Sequence, residues 1–142
     1  MKIISFEEKY RDDLIFMVLQ AKDAIGRVPK LNEDLLNIKE SYFNKQDMFW
    51  IALDEHDRVI GCVGTKTEND FMWIKRLYVK ASLKRQGIGS KLLECVEEFA
   101  KEKGINKLKV HLGGEEYFES HSFYPKHGFK KVEEGYMEKY IK

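Results

Sequence analysis

The chain has 142 residues, of which 43% are hydrophobic and 35% are charged, and its formal net charge at pH 7 is +1. This length is enough for one domain with a buried core but not for two, and the composition is typical of a globular protein rather than a disordered one. The near-neutral charge gives no broad positive field, so we expect no nucleic-acid partner. Because no apolar run approaches the ~20 residues of a membrane helix, we expect no membrane association either.

The cysteines and the N-terminus indicate a cellular compartment. Cys62 and Cys95 suit a reducing cytosol, and neither is spaced from the histidines as in a recognised metal site. Met1 and Lys2 lead directly into an apolar strand, with no visible signal peptide. We therefore predict a cytoplasmic monomer or homodimer that contains no metal.

The first half of the chain predicts one strand, two helices and three more strands. Apolar residues recur at helical spacing from Tyr10 to Ala24, and Gly26 and Pro29 break that pattern. Asn32 is expected to cap a second helix that continues to Phe43, with Asp34 favourable in its first turn. Strands are predicted over residues 2–6, 48–53, 58–66 and 71–79.

The second half predicts a long helix, a strand, a short helix and a closing hairpin. The long helix has an apolar stripe, Ser90 as a plausible cap and Gly104 as its stop. The next strand covers 107–112 and ends at Gly113 and Gly114. A short helix follows over 117–127, broken or tightened late by Pro125, and the hairpin strands are 129–132 and 136–141. This order predicts a single three-layer α/β domain over residues 1–142, with a mixed, mostly antiparallel sheet flanked by helices.

The loop from Lys84 to Ser90 is the most informative stretch. It joins an apolar strand to the long helix, whose first turn has unpaired N–H groups and a positive potential. Gly87 and Gly89 would let a ligand approach the backbone, and Lys84 and Arg85 add positive charge. The expected ligand is a phosphate or pyrophosphate.

Two sequence motifs identify a more specific relationship. Gly89 is followed by Ser-Lys, the wrong order for a Walker loop, and Leu92 replaces the third glycine of a dinucleotide fingerprint. The loop instead resembles the Gln/Arg-x-x-Gly-x-Gly/Ala loop of the GCN5-related N-acetyltransferases (GNAT), with Lys84 at its first position. The run from Phe123 to Phe129 resembles the Phe-Tyr-x-x-x-Gly-Phe run of that family. Both motifs occur in the expected order, and the resemblance covers nearly the whole chain.

The resemblance implies a fold, a cosubstrate and a set of site residues. In this family the fourth and fifth strands splay apart, and acetyl-CoA lies in the gap with its pyrophosphate on the loop. Tyr124 matches the general acid, although it could instead be a core aromatic whose hydroxyl bonds to the backbone. The cofactor-binding residues implied are Leu77, Tyr78, Val79, Lys84, Arg85, Gln86, Gly87, Ile88, Gly89 and Ser90.

The general base is where the sequence departs from the family pattern. Many members carry Glu on the fourth strand, where this chain has Trp73. Other candidates, each acting through water, are Glu68, Asp70, His111, Glu115 and Glu116. Of these, His111 has the best intrinsic pKa, near 6.5, but a surface or core role is the more ordinary explanation for it.

The resemblance implies that residues 25–31 and 132–138 build the acceptor site. Trp73 and Tyr117 are candidates for an aromatic wall there. Glu133 and Glu134 favour a cationic amine. Arg27 and Lys30 favour an acceptor with a carboxylate or phosphate, so both possibilities stay open.

The leading hypothesis is an N-acetyltransferase that moves an acetyl group from acetyl-CoA to a small-molecule or peptide primary amine by direct attack in a ternary complex. The alternative is a non-catalytic CoA-binding or sensor domain of the same fold. A general nucleotide-binding module and a purely structural domain fit the motifs less well.

Overall fold

The computed structural model describes residues 1–112, 118–133 and 135–142. Its strands form one seven-stranded sheet in the order β1-β2-β3-β4-β5-β7-β6. The strands are β1 Lys2–Ser5, β2 Phe49–Leu53, β3 Val59–Thr67, β4 Met72–Val79, β5 Lys107–His111, β6 Lys130–Glu133 and β7 Tyr136–Tyr140. The helices are α1 Arg11–Ala24, α2 Ile38–Ser41, α3 Ile88–Glu102 and α4 Phe118–Lys126.

Every strand pairing is antiparallel except that of β4 with β5. Parallel neighbours need a long crossover, and α3 provides it. Two apolar clusters lie on opposite faces of the sheet: α3 and α4 cover one, and α1 with residues 33–45 covers the other. The predicted three-layer α/β architecture with a mixed, mostly antiparallel sheet is therefore confirmed.

The predicted continuous helix from Asn32 to Phe43 is wrong. The segment contains the 3-10 turns Glu33–Leu36 and Phe43–Lys45, with the single turn α2 between them. Asn37 leaves helical geometry at φ −144° and ψ 78°, and its side chain accepts a hydrogen bond from the Glu40 N–H at 3.2 Å. An Asn side chain that bonds to nearby backbone favours caps over helix interiors, so Asn37 rather than Asn32 is the cap.

The later elements follow the predicted order with small differences at their ends. Helix α4 includes Pro125 in its last turn, and Gly128, at φ +90°, follows its end. The strand predicted to reach Leu112 ends at His111. The predicted stops Gly113 and Gly114 and the predicted helix start Tyr117 lie outside the described residues.

The sheet divides between β4 and β5. Their pairing covers only Met72–Ile74 against Leu108–Val110, although β4 continues to Val79. A register break between β3 and β4 lies just beyond this pairing, and Arg76 there has φ +55°. The bulge redirects the second half of β4, and a cleft opens where the two strands stop pairing.

Candidate active site

A cleft of about 920 Å³ lies where β4 and β5 part. The second half of β4 forms one wall, the end of β5 and α4 form another, and the loop before α3 closes one end. Of the predicted cofactor-binding residues, the cleft is lined by Leu77, Tyr78, Val79, Lys84, Arg85, Gly87, Ile88, Gly89 and Ser90. Gln86 is exposed and does not line it. Tyr124 lines the same cleft.

The glycines of the loop are needed for different reasons. Gly87 is the residue before α3, and it has φ +83° with open space where a Cβ would lie. A Cβ on Gly89 would lie 3.2 Å from Cε1 of Phe123, so this glycine permits close contact between α3 and α4. The open face beside Gly87 adjoins the first turn of α3, where the unpaired N–H groups of a helix lie.

Ser90 does not cap the helix as predicted. Helix α3 begins at Ile88 after Gly87, and no side chain caps it. The Ser90 hydroxyl lies 2.8 Å from Nε2 of His127, whose Nδ1 lies 2.9 Å from the Phe123 carbonyl oxygen. Because a carbonyl only accepts, Nδ1 donates to it. When His127 is neutral, Nε2 therefore accepts from Ser90, and this pair connects the first turn of α3 to α4.

Tyr124 is 4% exposed, yet its hydroxyl makes no hydrogen bond within the part of the chain that the structure describes. Its ring packs edge-on against Phe123 and Phe129, with centroid distances of 5.1 and 5.2 Å. Burial, together with Tyr78, raises the pKa of this phenol above its usual value. The hydroxyl is therefore protonated at neutral pH and is available to a group in the cleft.

The bulge of β4 is held by an ion pair that the sequence did not predict. Arg76 donates from Nε to Oδ2 of Asp34 at 3.1 Å and from Nη2 to Oδ1 at 2.9 Å. The Tyr42 hydroxyl donates to the same carboxylate at 2.5 Å. Burial alone would raise the pKa of Asp34, but the hydrogen bonds from Arg76 and Tyr42 lower it overall. Sequence reasoning assigned Asp34 to a helix start because its partner lies 42 residues away.

A buried lysine holds the segment between α1 and α2. Lys22 is 2% exposed and donates from Nζ to the Lys30 carbonyl and to Oδ1 of Asn32, each at 2.6 Å. Burial and the neighbouring Arg27 and Arg76 lower its pKa. This segment includes Arg27 and Asn32, which both line the cleft.

The end of β5 supplies His111, which lines the cleft and stacks on Trp73 at 4.1 Å with an interplanar angle of 11°. Burial, with the nearby Lys75, lowers its pKa below the usual value. Of the other base candidates, Glu68 pairs with Lys66 at 3.7 Å in the turn before β4. Neither Glu68 nor Asp70 lines the cleft. The base candidates Glu115 and Glu116 and the hairpin acid Glu134 lie outside the described residues.

Within the described ranges, no group of three or more His, Cys, Asp or Glu side chains could hold a metal ion. Of the helices in those ranges, none has the length and apolar character that crossing a bilayer requires.

Comparison with known proteins identifies the family. The family model "Acetyltransferase (GNAT) family" matches residues 14–129. The chain belongs to this family. Among solved structures, the GNAT acetyltransferase of Staphylococcus aureus superposes with a TM-score of 0.89 at 22% identity, covering 99% of both chains. The PaiA N-acetyltransferase of Thermoplasma acidophilum, solved with coenzyme A, superposes at 0.78 with 23% identity over 99% of this chain and 100% of that one. At these identities the likeness shows the fold.

In sequence, the chain is 29% identical to a probable N-acetyltransferase, camello, of Xenopus tropicalis over 105 residues. That match covers 71% of this chain and 47% of the relative. The chain spans about half the length, or less, of the curated relatives it matches.

Proposed function

We propose that this chain is one cytoplasmic N-acetyltransferase domain, which moves the acetyl group of acetyl-CoA to a primary amine by direct attack in a ternary complex. The observation that carries the proposal is a single cleft lined both by the glycine loop at the start of α3 and by Tyr124. A helix N-terminus preceded by an open glycine suits a pyrophosphate, and a buried protonated phenol suits a leaving thiolate. Family membership and the coenzyme A complex of a fold relative support the same function.

The donor would lie along β4. Backbone N–H groups in the first turn of α3, with Lys84 and Arg85 beside them, would hold the pyrophosphate. The pantetheine arm would pass through the gap between the strands, where β4 has no β5 partner beyond Ile74. The bulge at Arg76 leaves the backbone around Leu77 outside the regular ladder with β3, where an N–H group could polarise the thioester carbonyl.

The chemical step needs a neutral amine and a proton for the sulfur. The amine nitrogen attacks the thioester carbonyl carbon, a C–N bond forms, and the C–S bond breaks as the tetrahedral intermediate collapses. Tyr124 donates its proton to the sulfur as the C–S bond breaks, and the phenolate then regains a proton from solvent. The amine loses one proton to a base or to water.

The thiols of the chain support direct transfer rather than an acyl-cysteine. Cys62 is fully buried, donates to the Arg76 carbonyl at 3.1 Å, and has a pKa raised to about 12 by burial. Burial, with Glu98 and Glu94, also raises the pKa of the Cys95 thiol. Neither residue lines the cleft, and a protonated thiol is a poor nucleophile.

Calorimetric titration of the pure protein with acetyl-CoA, with ATP and NAD as controls, tests the donor. We expect a saturable heat with acetyl-CoA and none with the controls. The release of free CoA from acetyl-CoA is then measured with a panel of amines. An enzyme should release CoA with at least one amine, whereas a CoA-binding sensor should release none. Binding of ATP as tight as that of acetyl-CoA, or no binding of either, would contradict the proposal.

A further inference from the structure

We propose that the acceptor is a small amine with a carboxylate beside its amino group, as in an α-amino acid, and that Lys75 holds the carboxylate while His111 takes the proton of the amine. This inference deepens the proposed function and rests on it. It follows from where these two side chains lie and from the charges around them.

Lys75 and His111 face each other across the opening in the sheet. The last paired residues of the two strands are Ile74 and Val110, so Lys75 and His111 occupy the first positions after the ladder stops. Both line the cleft. Because Ile74 and Val110 belong to the cluster under α3, alternation places Lys75 and His111 on the α1 face. Tyr124 belongs to the α3 cluster, so an amine would meet the thioester from the side opposite the acid.

Lys75 has no anionic partner in the described part of the chain. It is half-buried, and burial, Arg76 and Lys66 lower its pKa. Among the described residues, the carboxylate that acts on it is that of Asp34, which already accepts two hydrogen bonds from Arg76 and one from Tyr42. A half-buried ammonium without a counterion is costly, and a bound carboxylate would supply one.

The described lining of the cleft contains lysine and arginine side chains but neither Asp nor Glu. Arg27 lines the cleft together with Lys75. Among the described lining residues, a polyamine or an aminoglycoside would meet like charges, whereas an amine with a carboxylate would meet opposite ones.

His111 is held beside this ammonium in a form that can accept a proton. Trp73 fixes its ring by stacking, and Tyr136 lies opposite it on β7. The charged residues beside it on this face are Lys75 and Lys109, and Glu138 lies opposite Lys109 on β7. Burial and the nearby Lys75 lower the pKa of His111, so a neutral imidazole is favoured at neutral pH. The proton that leaves nitrogen as the C–N bond forms would pass to the free ring nitrogen, and the imidazolium would release it to solvent.

The test compares matched acceptors with wild-type and variant enzyme. Alanine and phenylalanine are each compared with their amide and with the corresponding amine that lacks the carboxylate, and spermidine and O-phosphoethanolamine complete the panel. We expect wild type to prefer the free acids. In Lys75→Met, KM for the acids should rise about 10- to 100-fold with little change in kcat, while values for the amides stay near those of wild type.

Lys101→Met is the matched control, because Lys101 is an exposed lysine on α3 that does not line the cleft. It should leave the acid-to-amide preference unchanged. His111→Phe keeps an aromatic ring against Trp73 and should lower kcat for the acids by about 100-fold or more, with KM little changed.

Three results would overturn the inference: equal rates with acids and amides, a preference for spermidine, or Lys75→Met matching Lys101→Met. A preference for O-phosphoethanolamine over every amino acid would reassign Lys75 to phosphate. In all these cases tight binding of acetyl-CoA would leave the proposed function standing. Absence of acetyl-CoA binding would contradict both this inference and the proposed function.

Discussion

The two ends of the cleft are built in different ways. The donor end is one contiguous stretch, residues 84–90, whose contribution is mainly backbone geometry at the start of α3. The acceptor end draws side chains from four separate segments: Lys22 on α1, Asp34, Lys75 with Arg76 on β4, and His111 on β5. In the proposed function the donor end would bind acetyl-CoA, which is the same for every acceptor, and the acceptor end would select a particular substrate.

The largest expected effect is at the donor end. Gly89→Asp adds a negative charge in the first turn of α3 and a Cβ that meets the Phe123 ring. We expect acetyl-CoA affinity to fall about 100-fold or more, because like charges placed together cost several kcal/mol. Calorimetry measures the loss. The isosteric Gly89→Asn makes the same contact without the charge and should lose clearly less; equal losses would mean that packing alone explains the effect.

Tyr124→Phe tests the point where the two ends meet. Without the phenol proton, kcat should fall about 100-fold or more, while acetyl-CoA affinity stays close to wild type because the ring contacts remain. Since burial raises the pKa of Tyr124, loss of its proton should not reduce wild-type kcat below about pH 10. Tyr140→Phe, at a side chain 65% exposed, is the matched control. A fully active Tyr124→Phe enzyme would remove the acid role.

The smallest expected effect is on stability, from the ion pair between Asp34 and Arg76 that holds the bulge of β4. Asp34→Asn should lower the free energy of unfolding by about 1–3 kcal/mol, less than for a fully buried ion pair because Asp34 is partly exposed. Thermal unfolding measures it, with the exposed Asp23→Asn as control.

The pH dependence of that variant has a definite sign. The pKa of Asp34 is lowered in the folded state, so its contribution is fully present above the unfolded value of about 3.9 and is lost as pH falls through the folded pKa. Asp34→Asn should therefore flatten the stability curve below about pH 4. An unchanged slope there would mean that the ion pair with Arg76 contributes nothing to acid sensitivity.

The difference between a contiguous stretch and a site built from separate segments explains what the sequence could predict. Residues 84–90 predicted a ligand-binding loop because glycines and charges adjacent along the chain imply a local backbone shape, and the family resemblance implied the gap between β4 and β5. The order of the elements along the chain followed from apolar periodicity and turn residues. The split second helix was missed because Asn37 and Asn32 both look like caps, and only packing decides between them. The pairs Asp34 with Arg76 and Trp73 with His111 join residues 42 and 38 positions apart, and no local pattern reports such contacts. The roles of the site residues themselves remain predictions.

The stacking of Trp73 on His111 gives the molecule a native optical probe. The chain has two tryptophans, and Trp50 packs against Phe99 at 5.8 Å, away from the cleft. In a Trp50→Phe background the remaining indole emission would come from one ring, in direct contact with a side chain that lines the cleft. The emission of Trp73 could then report the binding of a ligand at this end of the cleft in real time, without any attached dye.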